Sequence, residues 1–280
     1  MLKALIFCFS LLNITTHHAK EATSFPIATS AEEVSTIIQK NDVNENTWVI
    51  FDIYHTLAQP LHPASHAIHL RVHKKHLKKE IKTLTKPQIE YAMNSSVAHE
   101  NGLTLTDAAF PQLIRDLQKK KACVWALTTS RANQFKQVKS IKHWTERVLK
   151  DLGISFEKSG PKINYIHLIH PDKYYDPAIV HKGIVFTNGE YDLTKGEALV
   201  LVLREVSEKP HIVYTVDDKE ENLRSMADAL KQYDPNIRFV GIIFRTSTTS
   251  APNLSLKSFM AYWQEHIKAA QEACECTNKW

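Results

Sequence analysis

Glycine is scarce in this chain, at 7 residues of 280 against a usual share of about 7%. The chain accordingly contains no GxGxxG, no GxxxxGK and no GxSxG, which excludes the phosphate cradles and nucleophile elbows that depend on glycine. Cysteine is equally sparse. Of the four cysteines, Cys8 lies in an N-terminal apolar stretch and Cys123 in an apolar run that reads as core. Cys274 and Cys276 are too closely spaced for an easy disulfide and have no His/Cys set to complete a zinc site. No disulfide framework is expected. Neither sign of charge dominates: 35 Lys plus Arg against 30 Asp plus Glu leave a formal net charge of +5, too mild to mark a nucleic-acid binder. Long apolar runs are also missing. The stretch from Ala4 to Leu12 is too short to span a bilayer, which takes about 20 residues, and no later segment is apolar enough to do so.

What is present reads as a folded, exported protein. Lys3, the short apolar stretch and Ala19 form a secretory signal peptide cleaved near Ala19, so a soluble periplasmic or secreted product is expected. Hydrophobic residues at 43% and charged residues at 23% are ordinary globular values. The length suits one α/β domain with an insertion, or two small domains. Ser30-Ala-Glu-Glu33 reads as a capping box opening a helix to about Lys40. Short continuous apolar runs then recur at 47–51, 122–127, 183–186, 211–216 and 238–244, the pattern of strands buried on both faces. Helical stretches lie between them at 106–120, 131–152, 194–206 and 221–232, and a closing amphipathic helix at 257–273. The alternation predicts an α/β, Rossmann-like parallel sheet flanked by helices.

Polar residues stand where such strands end. Asp52, Thr129 and Asp217 each sit at, or one step past, the C-terminal end of an apolar run, the edge at which open α/β sheets bind ligands. These segments resemble the haloacid dehalogenase (HAD) superfamily of hydrolases. Phe51-Asp-Ile-Tyr-His-Thr-Leu57 is similar to its first motif, DxDxT, and Leu127-Thr-Thr-Ser-Arg131 to its second. Lys195 in Asp192-Leu-Thr-Lys-Gly-Glu197 matches the third, a lysine at a helix start, and Val216-Asp-Asp-Lys-Glu-Glu-Asn-Leu223 the fourth, an acidic pair after a strand. The resemblance spans residues 47 to 244 and is closest to an uncharacterised secreted bacterial branch. It divides the chain into a signal peptide (1–19), an N-terminal helix and connector (20–45), a core (46–250) and a C-terminal helix (251–280). The core would carry a small helical cap inserted at about 60–105 and a second insertion at about 154–182.

The resemblance implies a Mg²⁺-dependent phosphohydrolase acting on a small phosphorylated substrate. Asp52 would be the nucleophile that forms an aspartyl-phosphate. Asp52, the backbone carbonyl of Tyr54, Asp217 and Asp218 would hold Mg²⁺, which takes hard oxygen ligands. Thr129 would hydrogen-bond a phosphoryl oxygen, Lys195 would stabilise the developing charge, and Thr56 would brace the loop. The chain departs from the motif at Tyr54, where the family has a second aspartate that protonates the leaving group. Loss of such a group costs about 10²- to 10⁴-fold. Three readings follow: a slow or narrow phosphatase, with His55 or a cap residue supplying the proton; a catalytically degenerate ligand-binding protein; or a metal-independent 2-haloacid dehalogenase, since those enzymes also carry Asp-x-Tyr.

The cap segment contains His62, His66, His69, His73 and His76, whose spacing places them on one helical stripe. Metal binding by imidazole pairs, a pH-sensitive contact, and half-buried positions on a basic amphipathic helix are the competing readings. The lysines beside them form a solvated face.

Overall fold

The computed structural model describes residues 24–99, 102–135, 138–163, 167–170, 177–188, 193–207, 209–246 and 253–277. The expected signal peptide and the side chains of Cys274 and Cys276 lie outside what is described. In chain order the elements are β1 (Ile27–Ala28), α1 (Ala31–Ile38), β2 (Thr47–Phe51), β3 (Ala58–Pro60), a 3₁₀ turn (Pro63–Ser65), α2 (Ala67–Val72), α3 (Lys74–Ile81) and α4 (Lys86–His99). They continue with β4 (Leu103–Leu105), α5 (Phe110–Lys119), β5 (Cys123–Thr128), α6 (Ile141–Asp151), β6 (His167–Leu168), β7 (Ala178–His181) and β8 (Ile184–Phe186). The last are α7 (Lys195–Glu205), β9 (Ile212–Asp217), α8 (Glu220–Tyr233), β10 (Arg238–Phe244) and α9 (Leu256–Thr277).

The fold is α/β. One sheet runs in the order β1-β10-β9-β2-β5-β8-β7-β6. It is parallel from β1 to β8, and β7 and β6 extend it antiparallel. The continuous apolar runs follow from burial on both faces. Along β2, Val49 and Phe51 enter one core with residues of α1, α5 and α6, while Trp48 and Ile50 enter a second core with residues of α7 and α8. Each fully buried large side chain contributes about 1.5–3 kcal/mol, so the central strand is anchored from both sides.

The sequence expectations need three corrections. The helix expected from residue 131 begins at Ile141. The loop before it satisfies its backbone elsewhere: Ala132 N donates to Asn188 Oδ1 at 3.0 Å, and Phe135 N to Val138 O at 2.9 Å. Only half of the capping box at Ser30 forms. Its hydroxyl accepts from Glu33 N at 3.2 Å, but Glu33 turns to the Thr29 amide instead. The complete box is at Thr194 and Glu197, opening α7. Finally, the histidine stripe is not one helix. His62 caps the 3₁₀ turn, and His73 sits at φ −99°, ψ 12° between α2 and α3. Of the expected second insertion, residues 164–166 and 171–176 lie outside the description, and β6 and β7 are what is seen.

The helices α2, α3 and α4 lie between β3 and β4, which pair as a two-stranded antiparallel hairpin. The C-terminal helix completes their core: Phe259, Trp263 and Ile267 of α9 pack with Ala64 and Leu77. Trp263 Nε1 donates to the Ala64 carbonyl at 3.0 Å, and Ser95 Oγ and His266 Nδ1 are hydrogen-bonded at 2.8 Å. The C-terminal helix thus packs onto the segment inserted between β3 and β4.

Gly196 sets how closely α7 approaches α8. A Cβ at this position would lie 2.3 Å from the Ser225 carbonyl oxygen, and Gly196 N donates to Ser225 Oγ at 3.2 Å. Gly196→Ala is therefore expected to lower stability by about 1–3 kcal/mol, read as a shift in the denaturant midpoint. An unchanged midpoint would show that the helix pair has room to spare.

Candidate active site

β2 and β9 are neighbours that end level, with Phe51 opposite Val216. Asp52 N donates to the Val216 carbonyl at 2.9 Å. From β2 the chain turns one way, to β5 and β8, and returns on the other side through β9 and β10. This pair of strand ends is therefore the switch point of the sheet. Strand alternation continues the face of Trp48 and Ile50 to Asp52, and that of Val213 to Asp217. Both acids thus project to the side covered by α7 and α8, and the first residue of α7 is Lys195.

Lys195 Nζ lies 2.5 Å from Asp52 Oδ1 and 2.7 Å from Asp217 Oδ2. The three side chains are 1%, 8% and 0% exposed. Thr56 Oγ1 donates to Asp52 Oδ2 at 3.1 Å. Thr106, just past β4, donates to the Thr56 carbonyl and holds this loop. Asp217 accepts Lys219 N at 2.9 Å and Asn222 Nδ2 at 3.0 and 3.2 Å. Asp218 is half-buried beside them, and oxygens of Asp52, Asp217 and Asp218 all lie within 4.8 Å of one another.

Burial and the neighbouring charges together set the protonation of Lys195, Asp52 and Asp218. Burial pulls the Lys195 ammonium down, but Asp217 and Asp52 overcome it and hold it above its ordinary value. Burial, reinforced by Asp217 and opposed by Lys195, pushes Asp52 up to about 6. Burial, followed by the charges of Asp52 and Asp217, pushes Asp218 up to about 7. Three carboxylates with oxygens this close offer a divalent cation its ligands, and the hard oxygen donors suit Mg²⁺. The residues therefore fit the ion that the sequence motifs imply.

The other expected residues are placed less directly. Thr129 follows β5 on the same edge, half-buried, and among the described residues its hydroxyl makes no hydrogen bond with the carboxylates. Thr128 Oγ1 accepts Ser130 N at 3.2 Å. The Tyr54 side chain packs against the core on the α6 side. Burial raises its phenol, against the pull of Thr145 and Ser130. His55 has φ +66°, a left-handed backbone that favours glycine. Burial, then Lys219, His66 and Arg71, push its imidazole down to about 4. The cap histidines hold structure: His62 stacks on Tyr262 at 4.1 Å, His73 packs on Phe259 at 4.6 Å, and His66 Nε2 is 3.0 Å from the Pro60 carbonyl. Among the described residues they assemble no metal-ligating group, and that of Asp52, Asp217 and Asp218 is the one present. Sequence reasoning missed Asn222, which donates to both oxygens of Asp217, and Thr106, which holds the Thr56 loop.

Comparison with known proteins agrees with this placement in an uncharacterised group. The family model described as "Protein of unknown function (DUF2608)" matches residues 28–280. Uncharacterised proteins of Rickettsia typhi and Rickettsia prowazekii are each 23% identical, over 149 and 148 residues, covering 52% of this chain and 50% and 49% of theirs. The chain thus spans about half the length of the curated relatives it matches. A solved structure, the HAD domain of effector protein Lem4 from Legionella pneumophila (inactive mutant), aligns at 15% identity with a TM-score of 0.35, covering 81% of this chain and 97% of that one.

The raised carboxyls make cation binding pH-dependent. Both folded-state values lie above the ordinary 3.8, so the cation-free fold binds extra protons and loses stability as pH rises from about 4 to about 7. A cation binds the deprotonated form, so its stabilisation grows over the same window. Saturating Mg²⁺ is expected to raise the unfolding temperature more at pH 7.5 than at pH 5, and Asp217→Asn to abolish the shift. Equal shifts at both pH values would contradict the cluster as the binding site.

Proposed function

The chain belongs to the family described as proteins of unknown function, DUF2608, and we propose that it is a HAD-like, Mg²⁺-dependent phosphohydrolase acting on a small phosphorylated substrate. The observation that carries this reading is Lys195 bonded at once to Asp52 and Asp217 within the carboxylate cluster. Asp52 attacks phosphorus and expels the substrate's alkoxide, giving an aspartyl-phosphate that water hydrolyses to regenerate the carboxylate. Asp52, Asp217, Asp218 and the Tyr54 carbonyl would hold the cation, whose role is to offset charge between nucleophile and phosphoryl oxygens. Lys195 keeps the Asp52 carboxylate oriented and supplies a fixed positive charge as the phosphoryl oxygens approach. Thr56 holds the second oxygen of Asp52, and Thr129 offers a hydroxyl from the neighbouring strand end. The exported location expected from the N-terminus is part of the same proposal.

The proton for the leaving group is what this site lacks. The Tyr54 phenol packs on the α6 side and, raised above its ordinary value, is a poor acid at pH 7. His55, held near 4, is neutral there and has no proton to give as an imidazolium. Substrates whose leaving group departs unprotonated are therefore favoured. The same observation supports the second reading, a degenerate protein that binds phosphorylated ligands without turning them over. A metal-free dehalogenase ranks third, because the acidic pair at 217 and 218 and its fit to a cation have no task in that chemistry.

With Mg²⁺, an aryl phosphate should be hydrolysed and an alkyl phosphate much less, and Asp52→Asn should abolish both. Tyr54→Asp should raise alkyl phosphate turnover by about 10²- to 10⁴-fold. No turnover by the native chain, with a gain in Tyr54→Asp, would select the degenerate reading. Halide release from a chloro-acid without metal would select the third.

A further inference from the structure

The helix α3 is oriented by its apolar side. Leu77 is buried, and Ile81 partly buried, in the core formed with Phe259, Trp263 and Ile267 of α9, which fixes the rotation of α3 on the body. Lys74, Lys75, Lys78, Lys79 and the C-cap residue Lys82 then fall within an arc of about 140° at 3.6 residues per turn. All five are exposed. Among the described residues none of the five enters an ion pair. Residues 74–82 hold these five lysines against one acid, Glu80, whereas the rest of the chain has 30 basic and 29 acidic residues. Nearly all of the net charge is thus collected on one solvent-facing side of a short helix. Lys74 and Lys75 are also the first two residues of α3, whose first turn contains no acid. Positive charge there opposes the helix macrodipole, so the helix forms against an electrostatic cost that an anionic partner would remove.

Bare aliphatic side chains stand at one end of this face. Val72, the last residue of α2, is 67% exposed. Leu256 is 37% exposed and lies one turn ahead of the Phe259 that packs on His73. We propose that the lysine face of α3 docks the protein on a bilayer containing anionic lipid, with Val72 entering the interface. The amines meet the headgroups, the lysine stems lie along the acyl boundary, and the aliphatic carbon enters it. A polynucleotide would use the charge but not the carbon, and residues 71–82 hold no Phe, Tyr or Trp on which bases could stack. The inference goes beyond the catalytic proposal and stands whether or not the carboxylate site turns over phosphate.

The test is flotation of the full chain with phosphatidylcholine vesicles, with and without about 30% phosphatidylglycerol. The native chain should partition onto the anionic vesicles about 10²- to 10³-fold more strongly than onto the neutral ones at about 0.1 M salt, and lose most of that preference at about 0.5 M. Replacing Lys74, Lys75, Lys78 and Lys79 together by Gln should remove the preference. The same number of exposed lysines replaced elsewhere, at Lys40, Lys120, Lys121 and Lys150, should leave most of it. Val72→Ser should weaken binding to the anionic vesicles severalfold. The α3 variant should unfold at or above the native temperature, because it removes positive charge from a helix N-terminus. Should it fail to fold, Lys78→Gln with Lys79→Gln is read instead, for about half the effect on a logarithmic scale. Equal partition of the native chain onto both vesicles, a preference that survives in the α3 variant, or an equal loss in the control variant would overturn the proposal. Binding to a duplex oligonucleotide with none to anionic vesicles would overturn it in favour of a nucleic-acid partner.

Discussion

A buried ammonium between two buried carboxylates is the constraint on which the rest of this structure depends. Burying each ion costs several kcal/mol, and the loss is recovered only where geometry is good and the remaining lone pairs are bonded. Here Lys195 reaches one oxygen of Asp52 and one of Asp217, while Thr56, Asn222 and the Lys219 amide take the others. That geometry requires β2 and β9 to end level and α7 to begin beside them. The register of the two strands provides the first, and the Thr194–Glu197 box together with Gly196 against Ser225 provides the second. A change that moves α7 outward strains the whole cluster, whichever function it serves.

The same cluster is incomplete in charge and in protons. Asp52 and Asp218 sit above the usual carboxylate range because burial disfavours their charge and the neighbouring acids add to it, against the pull of Lys195 and Lys219. A divalent cation relieves that repulsion. The turn from Ile53 to Ala58 adds a second tension. His55 occupies a left-handed conformation that costs a non-glycine residue on the order of 1–3 kcal/mol. It is held there by His55 N to Ala58 O, Leu57 N to Ile53 O and Ala58 N to Ile53 O, at 2.7, 3.0 and 2.9 Å. The turn holds this shape although neither Tyr54 nor His55 offers an acidic proton at pH 7.

Much of the parallel core was legible in the chain, because strands buried on both faces must be apolar throughout and the sheet edge then shows as the first polar residue. Asp52 and Asp217 were found that way, and Lys195 through its resemblance to a known motif. What was not legible depended on contacts between distant segments. The spacing of His62 to His76 fits a single helix, but nothing local shows that α9 would draw His62 onto Tyr262 and His73 onto Phe259 and break the helix between. Helical periodicity before Ile141 was overridden by Asn188, far along the chain, which takes the Ala132 amide.

The central claim is that Asp52, Asp217 and Asp218 share one divalent ion. It is tested most directly by a crystal grown with Mn²⁺ and measured for anomalous scattering. The account places a single strong peak against Asp52, Asp217, Asp218 and the Tyr54 carbonyl at about 2.0–2.3 Å, with Lys195 still bonded to Asp52. A peak elsewhere, or none at full Mn²⁺ concentration with the carboxylates positioned as described, would contradict it.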